Sequence, residues 1–279
     1  MVKNTSMKHI LILLAAVIIF INGFAASVDT AVIYSQVMKK GIKCVIIKPD
    51  NYTKDQSRYP AVYLLHGYSD CYNTWVKQVP AIKTYADQMR LIIICPDGGY
   101  GSWYFDSPVD TTFKYETYVS SEVVHYIDAH YHTIANRNHR AITGLSMGGH
   151  GALYLALKHP DVFGCAGAMS GGVDLRPFPA GWDIAKRIGD PEKYNENWQK
   201  MSVINMIDDH PAQPVAFMIE CGTEDFFYQV NYQLHQKMMK LKIVHDYVER
   251  PGQHTWKYWA NAVEYQLLFA RKFFDLQKQ

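Results

Sequence analysis

A serine flanked by glycines is the strongest chemical pattern in the chain. Gly144 and Gly148 lie two residues either side of Ser146, which gives the pattern G-x-S-x-G. An apolar run precedes it and helix-forming residues follow it, the strand–turn–helix context in which such a serine is a nucleophile. The sequence predicts Ser146 at a helix N-terminus, where backbone N–H groups favour developing negative charge. A glycine-rich turn with a capping serine is the alternative.

A serine hydroxyl needs a base to take its proton, and the base needs an acid to orient it. His254 follows the last predicted strand, and Glu224 and Asp225 follow the strand before it. Parallel sheets bind ligands outside the carboxyl ends of their strands, so these side chains are expected to meet Ser146 at one edge. The alternatives are a helix cap at Asp225 and a plain surface loop at His254.

An ester carbonyl attacked by Ser146 would need two backbone N–H groups aimed at its oxyanion. The residue after the nucleophile, Met147, is expected to supply one of them. The loop after the strand that ends at Leu65 is expected to supply the other, with the N–H of Tyr68 preferred and that of Gly67 as the alternative. Losing one such donor costs about 3 kcal/mol of transition-state stabilisation.

Candidates for substrate contact are Gly67, Trp103 and Trp182. Trp103 lies in an aromatic loop, 100–112. Trp182 lies in segment 174–213, the only segment that could cap the site. Their rings could stack on a sugar or a phenol, or serve packing alone. With no other lid insertion, the chain suits short acyl groups and an accessible alcohol.

The other histidines have weaker patterns. His125, His130 and His132 have no accompanying carboxylate pattern, so a solvated helix face is expected and a metal site is not. His66 precedes a tight glycine turn and is expected to make structural hydrogen bonds. His150 lies on the helix that follows Ser146 and is expected to pack beneath the turn.

Strand-like apolar runs alternate with helical patterns along the chain. The strands are expected at 61–65, 91–95, 164–169, 215–220 and 243–249, and the helices at 78–89, 115–131, 226–241 and 255–275. This alternation predicts an α/β fold with a mostly parallel sheet and helices on both faces. Two β-branched runs, 31–38 and 43–48, predict an antiparallel hairpin at the edge of the sheet.

Residues 1–26 have the pattern of a secretory signal peptide. Two lysines precede the apolar run 10–24, and cleavage is expected after Ala25 or Ala26. An uncleaved anchor is the alternative, but the run is short for a bilayer span. Residues 27–279 are expected to form one catalytic domain, secreted or periplasmic, without stable membrane insertion after cleavage.

Composition narrows the possible partners. The formal net charge is +2 and no basic stretch is present, so nucleic acid is not an expected partner. The five cysteines have no metal-binding spacing, and most lie in apolar runs. They are expected to be small buried hydrophobic side chains.

Together these segments resemble the esterase D-type family of α/β-hydrolases. That family includes tributyrin esterases, S-formylglutathione hydrolases, feruloyl and acetylxylan esterases and mycolyltransferases. The resemblance extends from about Val32 to Phe274, and its motifs lie at 63–67, 96–99, 102–104, 144–152, 221–225 and 252–256. It implies an α/β-hydrolase fold, a triad of Ser146, Asp225 and His254, and no cofactor. It also favours Asp225 over Glu224.

The expected function is that of a secreted serine carboxylesterase that hydrolyses short-chain acyl esters through an acyl-enzyme. Acetyl or feruloyl esters linked to carbohydrate are the preferred substrates, since export argues against the S-formylglutathione hydrolase branch, whose substrate is the thioester of a cytosolic thiol. The alternatives are an acyltransferase of the mycolyltransferase type with the same triad, and a non-catalytic carbohydrate-binding member of the fold.

Overall fold

The structure is a computed structural model. It describes residues 26–50, 52, 57–209 and 215–277, so nearly all of the expected signal peptide lies outside the described residues. In this part of the chain, no helix combines the length and the apolar character that a membrane span requires.

The core of the fold is one eight-stranded sheet. The strands follow the order β1-β2-β4-β3-β5-β6-β7-β8. β1 pairs with β2 and β2 with β4 in antiparallel fashion, and every other pairing is parallel. The strands are β1 Ser27–Ser35, β2 Lys40–Lys48, β3 Ala61–Leu65, β4 Ile92–Pro96, β5 Arg140–Leu145, β6 Cys165–Met169, β7 Ala216–Gly222 and β8 His245–Arg250. The expected α/β fold and its N-terminal hairpin are confirmed.

Helices connect the parallel strands. They are α1 Thr74–Gln78, α2 Ile82–Met89, α3 Tyr115–Thr117, a π-helix Tyr118–Val123, α4 Val124–His130, α5 Met147–Lys158, α6 Ile184–Ile188, α7 Asn195–Met201, α8 Val203–Met206, α9 Tyr228–Lys240 and α10 Trp256–Leu276. Short 3-10 turns lie at Arg137–His139 and Ile207–Asp209.

Two expected helices differ in the structure. The helix expected at 78–89 begins later, as α2 at Ile82, and a short helix that was not expected, α1, ends at Gln78. Pro80 separates them, because it lacks an N–H group and disfavours helical backbone at Val79. The helix expected at 115–131 contains the π-helical turn and ends at His130. Neither difference moves the strand ends that carry the candidate site.

Apolar side chains fill both faces of the sheet. All five residues of β3 are buried, with Tyr63 and Leu65 in the cluster on one face and Val62 and Leu64 in the cluster on the other. Helix α5 packs into the first cluster and α10 into the second. Strands buried on both faces are a rigid support, so the loops at their carboxyl ends start from well-defined positions.

All five cysteines lie in the described part of the chain, and all are free thiols. Cys44, Cys95, Cys165 and Cys221 are buried, while Cys71 is half-buried. Burial raises the pKa of the four buried thiols, which disfavours the reactive thiolate. The expectation of small buried hydrophobic cysteines therefore holds for these four.

Candidate active site

Ser146 occupies a strained turn between β5 and α5. Its backbone has φ 53° and ψ −116°, a conformation that costs energy for a residue with a side chain. A Cβ atom on Gly144 would lie 2.6 Å from the Gly148 carbonyl oxygen, and one on Gly148 would lie 2.5 Å from that of His66. Both glycines are therefore needed for the tight turn that presents the serine.

The structure brings His254 to Ser146 on one side and to Asp225 on the other. The Nε2 atom of His254 lies 2.9 Å from the Ser146 Oγ atom. The Nδ1 atom lies 3.0 Å from Oδ1 and 2.9 Å from Oδ2 of Asp225. An ionised carboxylate can only accept, so Nδ1–H donates to Asp225 and Nε2 of the neutral ring is free to accept from the serine hydroxyl.

The carboxylate of Asp225 is itself held in place. Its side chain is buried, and Oδ1 also accepts a 2.8 Å hydrogen bond from the Phe227 N–H. Glu224, by contrast, is exposed. Of the two acids that sequence reasoning considered, Asp225 is the one that contacts the histidine.

The loops that carry Asp225 and His254 are joined to each other by hydrogen bonds. The N–H of Thr223 donates to the Arg250 carbonyl, and the N–H of Glu224 donates to the Gly252 carbonyl, both at 2.9 Å. A Cβ atom on Gly222 would lie 2.3 Å from that Gly252 oxygen, so the close approach needs a glycine here. Pairing of β7 with β8 thus continues into the loops and aligns the acid with the histidine.

Beneath these loops, an ion pair joins the same two strands. Arg250 pairs with Glu220, whose side chain is fully buried, and the Tyr258 hydroxyl lies 3.4 Å from the same carboxylate oxygen. Burial raises the pKa of Glu220 to about 7, although the Arg250 guanidinium opposes this shift.

Three aromatic rings surround the His254 imidazole. Phe226 lies 4.2 Å away between ring centroids, Trp259 4.8 Å and Phe227 5.4 Å. Trp259 and Phe227 are 6% and 1% exposed, whereas Phe226 is 51% exposed. Phe226 is therefore the neighbour of this histidine that solvent, or a substrate, can reach.

The loop after β3 passes beside Ser146. A Cβ atom on Gly67 would lie 3.6 Å from the Ser146 Cβ atom. His66 fixes this loop, since its Nε2 atom accepts a 2.7 Å bond from the Gly98 N–H and its Nδ1 atom lies 2.8 Å from the Gly67 oxygen. The structural hydrogen bonds expected for His66 are present.

The carboxyl of Asp70 lies beside the loop that carries the two candidate donors, Gly67 and Tyr68. Burial raises the pKa of Asp70, and a hydrogen bond from the Gly67 N–H opposes that shift. A Cβ atom on Gly67 would lie 3.4 Å from the Asp70 Oδ2 atom. Met147 is the first residue of α5, so its N–H has no acceptor within the helix.

Trp103 and Trp182 occupy different positions. Trp103 is 1% exposed, so its ring is packed within the protein. The structure does not expose it at the edge of the sheet where Ser146 lies. Its indole N–H donates a 2.9 Å hydrogen bond to the Trp182 carbonyl oxygen. Trp182 is half-buried and its ring stacks on Phe226, with 5.4 Å between centroids and 14° between planes.

Sequence reasoning missed Phe226 near this edge, whereas Tyr100 lies in the aromatic loop expected to contact substrate. Phe226 directly follows Asp225 in the chain, and that adjacency was the available signal. Tyr100 is 63% exposed and contacts the ring of Tyr68 edge-on at 4.9 Å. The Tyr68 hydroxyl donates to an Asp183 carboxylate oxygen 3.2 Å away, which joins the loop after β3 to the segment that follows β6.

Three other histidines, His125, His130 and His150, have structural positions. The Nδ1 atoms of His125 and His130 each lie 2.8 Å from a carbonyl oxygen of their own helical turn. The described residues contain no group of three or more side chains suited to a metal ion. His150 is fully buried and its Nε2 atom lies 2.9 Å from the Met201 oxygen, while burial lowers its pKa to about 4.

Known proteins resemble this chain in sequence and in fold. Esterase Rv1288 of Mycobacterium tuberculosis (strain H37Rv) is 33% identical over 134 residues, which is 47% of this chain and 29% of that protein. The diacylglycerol acyltransferase/mycolyltransferase Ag85A of the same strain is 39% identical over 182 residues, 58% of this chain and 53% of that protein. The chain thus matches less than two thirds of either relative's length.

Solved structures match over more of the chain. A ferulic acid esterase superposes with a TM-score of 0.79 and 29% identity, over 90% of this chain and 99% of that one. The S-formylglutathione hydrolase FrmB of Staphylococcus aureus superposes with a TM-score of 0.76 over 88% of this chain and 99% of that one. At 21% identity, FrmB shows a common fold alone.

The family comparison covers most of the chain. The model of the family described as "Putative esterase" matches residues 35–269. That range begins in β1, ends in α10 and contains every element that carries the candidate site. The chain therefore belongs to the Esterase family, and its fold is that of the α/β-hydrolases.

Proposed function

We propose that the protein is a serine carboxylesterase that hydrolyses short-chain acyl esters through an acyl-enzyme. The observation that carries this proposal is the unbroken series of contacts from the Ser146 hydroxyl through the His254 ring to the buried Asp225 carboxylate. Membership in the Esterase family supports it. The reaction needs no cofactor, because the base, the nucleophile and the oxyanion donors are all groups of the chain.

The first half of the reaction forms the acyl-enzyme. His254 Nε2 takes the hydroxyl proton as Ser146 Oγ attacks the ester carbonyl carbon, and the carbonyl π electrons move onto oxygen. The N–H groups of Met147 and Tyr68 stabilise that oxyanion. When the intermediate collapses, the bond to the alcohol oxygen breaks, and His254 gives this oxygen its proton. Asp225 holds the ring and stabilises the imidazolium formed on the way.

The second half repeats these steps with water. His254 removes a proton from a water molecule, which attacks the acyl carbon and forms a second oxyanion at the same donors. Collapse breaks the bond to Ser146 Oγ, and the proton held by His254 returns to that oxygen. The products are a carboxylic acid, an alcohol and the free enzyme.

Acetyl or feruloyl esters on carbohydrate are the proposed substrates. The half-exposed aromatic rings near His254 and Tyr68 support this choice, because flat apolar faces stack well on sugars and phenols. The likeness to a ferulic acid esterase at 29% identity supports it as well. The pattern in residues 1–26 supports a secreted or periplasmic location, where polymeric carbohydrate is accessible.

An acyltransferase is the second candidate, favoured by the 39% identity to mycolyltransferase Ag85A. The same acyl-enzyme would pass its acyl group to a sugar hydroxyl in place of water. Incubation of an acetyl ester with excess sugar, followed by product analysis, separates the two functions. Acetylated sugar would establish transfer, and acetate alone would establish hydrolysis.

A fluorophosphonate probe and rapid mixing test the proposal itself. The probe should label the protein at Ser146, and p-nitrophenyl acetate should give a burst of p-nitrophenol equal to the enzyme concentration when deacylation is slower than acylation. A series of acetyl, butyryl and octanoyl esters should show a preference for the short chains. An inert response to both reagents would indicate the third candidate, a non-catalytic carbohydrate-binding member of the fold.

A further inference from the structure

A row of aromatic rings extends from the catalytic histidine to the segment that follows β6. Phe226 lies 4.2 Å from the His254 ring and stacks on Trp182 at 5.4 Å. Trp182 in turn lies 5.7 Å from Phe178, and both Trp182 and Phe178 contact Phe227. We call the first two rings, Phe226 and Trp182, the aromatic wall.

The position of the wall relative to His254 determines which part of an ester it can reach. The imidazole Nε2 atom must protonate the departing oxygen, so the alcohol group leaves from beside this ring. The carbonyl oxygen, in contrast, must point at the N–H groups of Met147 and Tyr68. The aromatic residues around Tyr68 thus lie on the carbonyl side of the ester. Those around His254 lie on the alcohol side.

We propose that the aromatic wall, Phe226 and Trp182, is the subsite for the alcohol part of the ester, and that it favours alcohols with a broad flat face, such as a sugar ring or a phenol. This proposal rests on the esterase function proposed above. Phe226 is the half-exposed member of the three rings around His254, so it is the one an alcohol can touch.

The chemistry of the wall suits a flat alcohol and not a charged one. The Phe226 side chain has no hydrogen-bonding group, so it can recognise only the shape and apolar face of what it contacts. Trp182 stacks on the first ring, with 14° between the two planes, and adds its own apolar surface beside it. A hydrogen bond fixes the backbone of Trp182, because its carbonyl oxygen accepts from the Trp103 indole N–H.

An acetyl ester series with varied alcohols tests this subsite. The substrates are p-nitrophenyl acetate, a monoacetylated xylose and ethyl acetate, which share one acyl group and therefore one acyl-enzyme. In Phe226→Ala, kcat/KM should fall about fivefold to tenfold for the two flat alcohols and change less than about twofold for ethyl acetate. The deacylation rate should be unchanged, because the alcohol has left before that step.

Two further variants keep the test decisive. Phe226→Leu retains apolar bulk without the flat ring, so it should show the same change in preference if the alanine variant folds poorly. Tyr232 is an aromatic residue of α9 with 38% exposure, and it stacks on Tyr228. Tyr232→Ala is the matched control and should leave the preference unchanged.

The outcomes separate this inference from the proposed function. The alcohol subsite would be overturned by an equal loss for all three alcohols, by a slower deacylation step, or by no loss at all. A normal burst in the unaltered protein would still support the esterase. If the unaltered protein gave neither a burst nor fluorophosphonate labelling, the esterase proposal itself would fail. A selective loss for the flat alcohols with unchanged deacylation is the expected result.

Discussion

His254 Nε2 and Ser146 Oγ lie 2.9 Å apart although 108 positions separate them in the chain. One residue lies on the turn after the central strand β5, and the other on the loop after the edge strand β8. The length of the His254 loop and the sharp turn at Ser146 bring the two side chains across the intervening strands. Five predictions follow from this contact and from the contacts that support it.

Replacing Ser146 by alanine removes the proposed nucleophile. Turnover of p-nitrophenyl acetate should fall by about 10⁶ in kcat. Ser121, a half-exposed serine in the π-helix, provides the matched control, and Ser121→Ala should retain activity. Undiminished turnover by Ser146→Ala, measured after removal of trace wild-type enzyme, would exclude the serine mechanism.

Replacing Asp225 by asparagine should stabilise the wrong tautomer of His254. The fall expected in kcat is about 10⁴-fold, since the amide can donate to Nδ1 where the carboxylate can only accept. Glu224→Gln makes the same chemical change one residue earlier at an exposed position, and it should have little effect on kcat. If Glu224→Gln lowered kcat more than Asp225→Asn, the acid that orients His254 would be Glu224 and not Asp225.

Esterase activity should fall in acid, because a protonated His254 cannot take the serine proton. The measurement is kcat/KM across about pH 5 to 8. His150 is also close to Ser146 in the chain, but burial lowers its pKa to about 4, so its protonation lies below that range. A flat profile would argue against His254 as the base.

The turn around Ser146 should be intolerant of side chains. A Cβ atom in Gly148→Ala would meet the His66 carbonyl at 2.5 Å, so the turn and the loop after β3 must separate. We expect a loss of about 1–3 kcal/mol in the free energy of unfolding, together with reduced activity. At Gly181 the nearest atom to an added Cβ lies at 3.4 Å, so Gly181→Ala should keep the wild-type melting temperature. Equal melting curves for both variants would refute this account.

The buried Glu220 should make stability depend on pH. Its pKa is about 7 in the folded protein against 4.5 for an ordinary glutamate, so between these values the folded state binds more protons at this group than the unfolded state. Lowering the pH through this window should therefore stabilise the wild type relative to Glu220→Gln, by on the order of 3 kcal/mol in total.

Thermal unfolding at several pH values between about 8 and 4 measures this difference. The exposed residue Glu192 provides the control, and Glu192→Gln should follow the wild-type curve in parallel. A constant gap between wild type and Glu220→Gln over the window would show that Glu220 keeps one protonation state throughout.

Local patterns in the sequence were sufficient to predict the fold and the turn at Ser146. Strands buried on both faces appear as continuous apolar runs, and a G-x-S-x-G pattern between a strand and a helix indicates a sharp turn. The expected hairpin and parallel strands are confirmed for the same reason. The backbone atoms that exclude a side chain at Gly148 belong to Leu65 and His66, far away in the chain. Pro80 lies inside the range expected as a helix, 78–89, although proline disfavours helical backbone at the residue before it.

Only the tertiary structure decided which neighbouring groups face one another. Glu224 and Asp225 are adjacent, and it is the hydrogen bonding between the loops after β7 and β8 that buries Asp225 against His254 and leaves Glu224 in solvent. The burial of Trp103 and the contact of Phe226 with His254 likewise depend on segments far apart in the chain. Side-chain direction in a loop is set by such long-range packing, and a linear sequence contains no periodic pattern that encodes it.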